Sequence, residues 1–143
     1  METKDREAVV RLGEADRRRI REWTEAGYPV EACGLLIGKR VGDEVWIRSV
    51  REAANLESDR AATRYELDPQ AFLAADREAR RMGLDVVGFW HSHPDAPPVP
   101  SETDLAAAWP GYVYMIVSVE AGTAKEIRVW SLTDGSFQQG VLK

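Results

Sequence analysis

The stretch DVVGFWHSHPDAPPVPSETDLAA, residues 85–107, largely decides the fold of this chain. It begins with an apolar run over residues 85–90, which has the length of a buried strand. Both histidines of the chain, His91 and His93, follow at once, and a loop rich in proline comes after them. Residues 101–109 then predict a short helix, which the next Pro-Gly pair stops. This order directs polar side chains from a strand and a helix toward one place.

The rest of the chain predicts strands and helices arranged around this central strand. Further strands are predicted at residues 9–12, 33–37, 44–50, 112–119, 126–132 and 137–142, and a first helix at residues 14–26. A second helix opens at Asp68-Pro69, where the aspartate can cap it and the proline suits its first position, and Gly83 closes it. The element order predicts an α/β (α+β) fold, a mixed sheet flanked by helices, in a single domain over residues 1–143.

Composition limits the class of protein. The 143 residues are 44% hydrophobic and 30% charged, which is typical of a globular domain. The net charge of -5 argues against a general nucleic-acid binder and against an anionic membrane surface as partner. Residues 1–13 do not predict a signal peptide, and no run approaches about 18 consecutive apolar residues. With Cys33 as the single cysteine, the sequence predicts a cytoplasmic protein without an intrachain disulfide.

The histidine pair predicts a metal site. In a strand, side chains two positions apart point to the same face, so His91 and His93 can share one ion and Trp90 points into the core. Asp104 is the candidate third ligand, because SETD at residues 101–104 matches the S-x-x-D pattern of a helix start and places Asp104 in the first turn. Two histidines and one carboxylate suit Zn²⁺, with iron(II) as the chemical competitor.

These residues resemble a known family. HSHP at residues 91–94, followed by S-x-x-D at residues 101–104, is similar to the motif of the JAMM (MPN+) metalloproteases. That motif also has a glutamate well upstream, before an apolar strand, and here Glu31 precedes CGLLIG at residues 33–38. The resemblance covers about residues 29–132 and fills every motif position. It implies the family fold, a curved β-sheet flanked by helices as in cytidine deaminases, although the deaminase signature itself is absent.

The resemblance also implies a role for each motif residue. It implies one Zn²⁺ per chain, held by His91, His93 and Asp104. It implies that Glu31 takes a proton from the attacking water and later gives a proton to the leaving amine. Ser101 would donate a hydrogen bond to the developing oxyanion. The implied reaction is hydrolysis of an amide bond without a covalent intermediate.

The short chain resembles the compact bacterial branch of the family. Members of that branch act at the C-terminus of small ubiquitin-like sulfur-carrier proteins, which implies a carrier with a Gly-Gly-type tail as the partner. The polar loop at residues 55–64, which contains Ser58, is a candidate to line the groove for that tail. Two alternatives stay open: a non-catalytic interaction module, since many relatives of this fold are scaffolds, and a zinc hydrolase of small amides or dipeptides.

Overall fold

The structure, a computed structural model, describes residues 7–143 as one sheet with three helices packed against it. The elements, in chain order, are β1 (Val9–Arg11), α1 (Glu14–Gly27), β2 (Cys33–Val41), β3 (Glu44–Ala53), α2 (Pro69–Arg81), β4 (Asp85–Pro94), α3 (Glu102–Ala107), β5 (Val113–Glu120), β6 (Thr123–Thr133), β7 (Ser136–Gln139) and β8 (Val141–Leu142). Part of the segment for which no signal peptide is predicted, residues 1–6, lies outside the described residues. Across the described part of the chain, no helix has the length and apolar character that a bilayer span requires.

The sheet has mixed strand directions, in the order β7-β6-β5-β4-β2-β3-β1-β8. Strand β4, which contains both histidines, lies inside the sheet, antiparallel to β2 and parallel to β5. Side chains of β4 are buried on both faces of the sheet, which is why its sequence is a continuous apolar run rather than an alternating one. The predicted mixed sheet with flanking helices is confirmed.

The C-terminal segment differs from the prediction of one strand over residues 137–142. Strand β7 pairs with β6 at one edge of the sheet, whereas β8 pairs in parallel with β1 at the other edge. The switch occurs at Gly140, whose N–H donates to the Val129 carbonyl at 2.8 Å. A Cβ on Gly140 would lie 2.6 Å from the Ala8 carbonyl oxygen. The single-strand prediction is wrong because the switch depends on where two distant strands lie.

Side chains of β4 alternate between two apolar layers. Trp90 is fully buried on the α1 side, where its ring stacks on Trp23 with 5.7 Å between centroids. Phe89 lies on the α2 side, packed against the buried cluster that contains Leu35 and Ala79. The predicted inward direction of Trp90 is confirmed, and the histidine that follows it therefore faces the α2 side.

Gly34 is required by the packing of Trp90. The Trp90 indole N–H donates to the Arg51 carbonyl at 3.0 Å, and a Cβ on Gly34 would lie 2.0 Å from that oxygen. We expect Gly34→Ala to destabilise the protein by about 1–3 kcal/mol or more, because neither the strand nor the indole can move aside. Urea denaturation of Gly34→Ala and of a control, Gly13→Ala, measures this. A Cβ on Gly13 meets nothing within 4 Å, so equal losses in the two variants would contradict the explanation.

Candidate metal centre and active site

The two histidines lie at the C-terminal end of β4. The strand extends to Pro94, so its regular pairing with β5 includes both histidines. Their side chains are almost completely buried, with His91 1% exposed and His93 6% exposed. Because they are two positions apart in a regular strand, both rings project from the same face. Two imidazoles that are buried, fixed and directed to the same face are suitable metal ligands.

The structure brings Asp104 to the histidines. The Nε2 atoms of His91 and His93 are 3.2 Å apart. The Oδ2 atom of Asp104 lies 3.3 Å from Nε2 of His91 and 3.1 Å from Nε2 of His93. Ligand atoms bonded to one tetrahedral zinc ion at about 2.0–2.1 Å are separated by roughly 3.3 Å. The three side chains therefore fit around a single cation.

The tautomer of His93 also favours a cation. Its Nδ1 lies 2.8 Å from the carbonyl oxygen of Pro97, which can only accept, so Nδ1 carries the proton. In the neutral ring, Nε2 then directs a lone pair at the Asp104 carboxylate. Two lone pairs at this distance repel each other unless a proton or a metal ion lies between them. A backbone carbonyl behind the distal nitrogen is the usual support of a metal-binding histidine.

Helix α3 holds Asp104 through its own cap. The Asp104 N–H donates to Ser101 Oγ at 3.0 Å, and the Asp104 carboxylate accepts from the Ser101 N–H at 2.9 Å. This reciprocal capping box confirms the helix start predicted from S-x-x-D. The helix is shorter than predicted and ends at Ala107. The chain turns away there because the Trp109 N–H donates to the Tyr114 hydroxyl at 2.7 Å.

The charges of the cluster suit a cation. Burial alone would raise the pKa of Asp104, but hydrogen bonds from the two histidines lower it well below its usual range. Burial lowers the pKa of His91. Burial acts in the same direction on His93, but its bonds to Asp104 and Pro97 outweigh this and raise its pKa. Asp104 is therefore ionised at neutral pH and His91 is neutral, as metal binding requires.

Glu31 lies beside the cluster, just before β2. Its N–H donates to the Ala61 carbonyl at 2.6 Å, and its carbonyl accepts from Nδ2 of Asn55 at 2.9 Å. The side chain is 4% exposed, and its Oε1 has no hydrogen-bond partner among residues 7–143. Burial raises the pKa of Glu31 to about 8, with His93 opposing the rise and Asp104 adding to it. A carboxyl group with this pKa can accept and release a proton near neutral pH.

A cavity of about 240 Å³ joins these groups. Glu31, His93 and Ser101 lie on its walls, and the other walls are formed by small or apolar residues, namely Ala62, Thr63, Pro94, Ala96, Pro97 and Val99. Ala62 and Thr63 come from the loop at residues 55–64, whereas Ser58 does not line the cavity. The site is therefore a cleft lined by one carboxyl group, one histidine and the hydroxyl-bearing residues Thr63 and Ser101.

The Prok-JAB family, described as prokaryotic homologs of the JAB domain, matches residues 14–133. The chain belongs to the Prok-JAB family. This membership confirms the resemblance to the JAMM (MPN+) proteins. The matched segment contains all five motif residues.

Individual relatives of this Prok-JAB domain agree with the assignment. The chain is 39% identical over 99 residues to the desampylase of Haloferax volcanii, covering 68% of this chain and 69% of that protein. It is 31% identical over 113 residues to the CysO-cysteine peptidase of Mycobacterium tuberculosis, covering 78% of this chain and 75% of the relative. The solution structure of a Desulfitobacterium hafniense protein superposes with a TM-score of 0.83 at 28% identity, covering 94% of this chain and 91% of that one.

Cys33 is a structural residue of this Prok-JAB domain. It is fully buried in β2, and burial raises the pKa of its thiol to about 12. Its Sγ lies 3.7 Å from the Ala53 carbonyl oxygen. A thiol that stays protonated at neutral pH is a poor nucleophile. The prediction of a small buried side chain is confirmed, and this environment disfavours a cysteine-protease mechanism.

Sequence reasoning gave no structural role to Asn55 and Tyr65, which both support the site. The Asn55 amide donates to the carbonyls of Glu31 and Arg64 and accepts from the N–H groups of Glu57 and Glu66. The Tyr65 ring stacks on His91 with 4.5 Å between centroids. Asn55 begins the polar loop at residues 55–64, and Tyr65 follows it. An asparagine after a strand was the available signal, but its bond to Glu31 joins residues 24 positions apart.

Proposed function

We propose that this protein is a zinc metallopeptidase that hydrolyses an amide bond at the C-terminal tail of a small ubiquitin-like or sulfur-carrier protein. The observation that carries the proposal is the convergence of His91, His93 and Asp104 beside a cavity that also holds the carboxyl group of Glu31. Relatives named desampylase and CysO-cysteine peptidase support the substrate class.

His91, His93 and Asp104 would hold the zinc ion. When bound, the ion supplies Lewis acidity, which lowers the pKa of water and polarises a carbonyl oxygen. Three protein ligands are the number found in catalytic zinc sites, whereas structural sites usually have four. Cys33 lies in a neighbouring strand, but its protonated, fully buried thiol is not part of the ligand set.

Glu31 would act as general base and then as general acid. Its unpartnered carboxyl oxygen is buried at the cavity wall, where it can take the proton of an attacking water. Its raised pKa lets it hold that proton until the leaving amine receives it. Ser101 would serve the oxyanion, because its Oγ already accepts from the Asp104 N–H and its own proton is free to be donated.

The cavity supports a tail of small residues. Its volume of about 240 Å³ and its walls of alanine, proline and valine leave little room for large side chains. A Gly-Gly tail would bring its carbonyl groups close to both Glu31 and Ser101. A bulky residue next to the scissile bond would meet Pro97 or Val99.

A defined conjugate tests the function. The substrate is a ubiquitin-like carrier whose Gly-Gly tail is joined by an amide bond to cysteine, incubated with zinc-loaded enzyme and analysed by mass spectrometry. We expect the intact carrier and free cysteine as products. Cleavage of dipeptides but not of the conjugate would favour the small-amide hydrolase. Tight binding of the carrier without cleavage would favour the interaction module.

The affinity for zinc is expected to decrease as the pH is lowered. Both histidines must be neutral to bind the ion, and the raised pKa of His93 means that protons compete there first as the pH falls. The lowered pKa of His91 adds a second competing proton only at lower pH. We expect the zinc dissociation constant to rise by about tenfold per pH unit below the pKa of His93. Titration against a competing chelator between about pH 7 and 5 measures it; a constant affinity would contradict this ligand set.

Ser101→Ala is expected to lower kcat by about 10²-fold through loss of the oxyanion donor. It should also cost about 1 kcal/mol of stability, because Ser101 caps α3. Ser101→Thr keeps a hydroxyl group at the cap and serves as the matched control. Assays with the carrier–cysteine conjugate and thermal melts separate the two effects. An alanine variant as active as the wild type would exclude the oxyanion role.

A further inference from the structure

We propose that Tyr28 and Asp95 are positioning residues, which hold Glu31 in place relative to the histidine ligands. The inference rests on the proposed function for its catalytic consequence. The Tyr28 hydroxyl donates to Oδ2 of Asp95 at 2.5 Å. Tyr28 precedes Glu31 by three residues, and Asp95 follows His93 by two. One hydrogen bond thus joins the segment that carries the general base to the segment that carries the ligands.

Asp95 is fixed independently of Tyr28. Its N–H donates to the Val119 carbonyl at 2.7 Å, and its Oδ1 accepts from the Ala121 N–H at 2.8 Å. Its φ of 53° lies in the left-handed region, which aspartate tolerates better than most residues. Val119 belongs to β5, the strand that pairs with β4 along the histidines. Asp95 is therefore held in place next to the end of β4 that carries the two histidines.

The Tyr28 hydroxyl adds an attachment before Glu31, whose own backbone bonds run to Ala61 and Asn55. On the C-terminal side, the Ala32 N–H donates to Ser92 Oγ at 2.9 Å, next to both ligands. On the N-terminal side, Val30 is 39% exposed, and its N–H donates only back to Gly27. Within residues 7–143, the bond from Tyr28 to Asp95 is the side-chain hydrogen bond that ties residues 28–30 to the β4–β5 end of the sheet. Its loss would leave residues 28–30 held by the ring packing of Tyr28 and the bond from Val30 to Gly27, and would loosen their link to the ligand strand.

Neither residue lines the cavity that contains Glu31, His93 and Ser101. Asp95 adjoins Pro94 and Ala96, which do line it, so the zinc affinity measured below separates an effect through Glu31 from one through the ligand segment. A misplaced base slows the chemical step and leaves ground-state binding and the metal ligands unchanged. The expected signature is a fall in kcat with KM and zinc affinity preserved.

The kinetic test uses the full chain, loaded with zinc, and the carrier–cysteine conjugate. Tyr28→Phe removes only the hydroxyl, and Asp95→Gly removes the acceptor at a position whose φ of 53° suits glycine. We expect each variant to lower kcat by about tenfold, with KM and the zinc dissociation constant within about twofold of wild type. The double variant should lose no more than the more damaging single one, because both remove the same bond. Tyr112→Phe, a half-buried tyrosine outside the site, should retain wild-type activity.

A second readout does not depend on activity. Amide hydrogen exchange at Glu31 and Ala32, followed by NMR, reports how firmly their segment is held. Tyr28→Phe should accelerate both amides by about tenfold and leave the amides of α2 unchanged. Unchanged exchange, or unchanged kcat in an active enzyme, overturns the inference. Faster exchange together with a wild-type protein that cleaves no conjugate would instead reject the proposed function and leave the positioning of Glu31 supported.

Discussion

Glu31→Gln is expected to lose hydrolysis of the carrier–cysteine conjugate by about 10²–10⁴-fold and to keep its zinc. Glutamine has the same shape but cannot take a proton from water or return one to the leaving amine. Glu31 is not among the three side chains that can hold the metal, so zinc binding should persist. Mass spectrometry of the conjugate gives the rate, and elemental analysis of the protein gives the zinc content.

Two controls accompany Glu31→Gln. Glu120→Gln makes the same chemical change at an exposed glutamate of β5 and should be fully active. The second control is stability without metal. A carboxyl group whose folded pKa is raised to about 8 makes a contribution to stability that is lost as the pH rises through that value. The neutral amide avoids this loss, so metal-free Glu31→Gln should melt higher than wild type near pH 8. A Glu31→Gln protein that holds zinc and hydrolyses at the wild-type rate would remove Glu31 from the mechanism.

Asp104→Asn is expected to release zinc and to abolish activity. Its amide oxygen can still accept from the Ser101 N–H, so the helix cap survives while the anionic ligand is lost. Loss of the hydrogen-bond partner of a metal ligand typically lowers metal affinity by about 10–100-fold, and loss of the ligand itself should lower it further. Competition with a chelator measures the affinity, and kcat should fall to that of zinc-free protein.

The matched control for Asp104→Asn is Asp68→Asn. Asp68 caps α2 and accepts from the Gln70 N–H at 2.9 Å, remote from the histidines in the sequence. Both substitutions remove a negative charge from the start of a helix, Asp68 at the N-cap position and Asp104 three residues after its N-cap. Asp68→Asn should therefore bind zinc like the wild type. Equal zinc affinity in all three proteins would show that Asp104 does not bind the ion.

The order of strands and helices could be predicted because local residue patterns determine each element. Apolar runs give the buried strands, and Asp68-Pro69 gives the start of α2, whose cap the structure contains. The β7–β8 switch could not be predicted in this way. It places residues 136–139 and 141–142 at opposite edges of one sheet, and only the curvature of the whole sheet brings those edges together.

Some contacts of the candidate site could likewise be predicted from the sequence, and others could not. His91 and His93 are two apart in a strand, and Asp104 follows from a helix-start pattern, so their approach could be expected from sequence spacing. The contacts of Asn55 with Glu31, and of Tyr28 with Asp95, join residues that are 24 and 67 positions apart. Such pairs leave no periodic signal. They form only when the folded sheet brings distant segments of the chain together.

X-ray absorption at the zinc K-edge, recorded on protein loaded with one equivalent of zinc, decides whether these side chains form the metal centre. The predicted spectrum shows two imidazole nitrogens and light oxygen scatterers at about 2.0–2.2 Å, and Asp104→Asn removes the bound ion. A sulfur shell at about 2.3 Å, which would require Cys33, or a failure to bind one equivalent, would contradict the assignment.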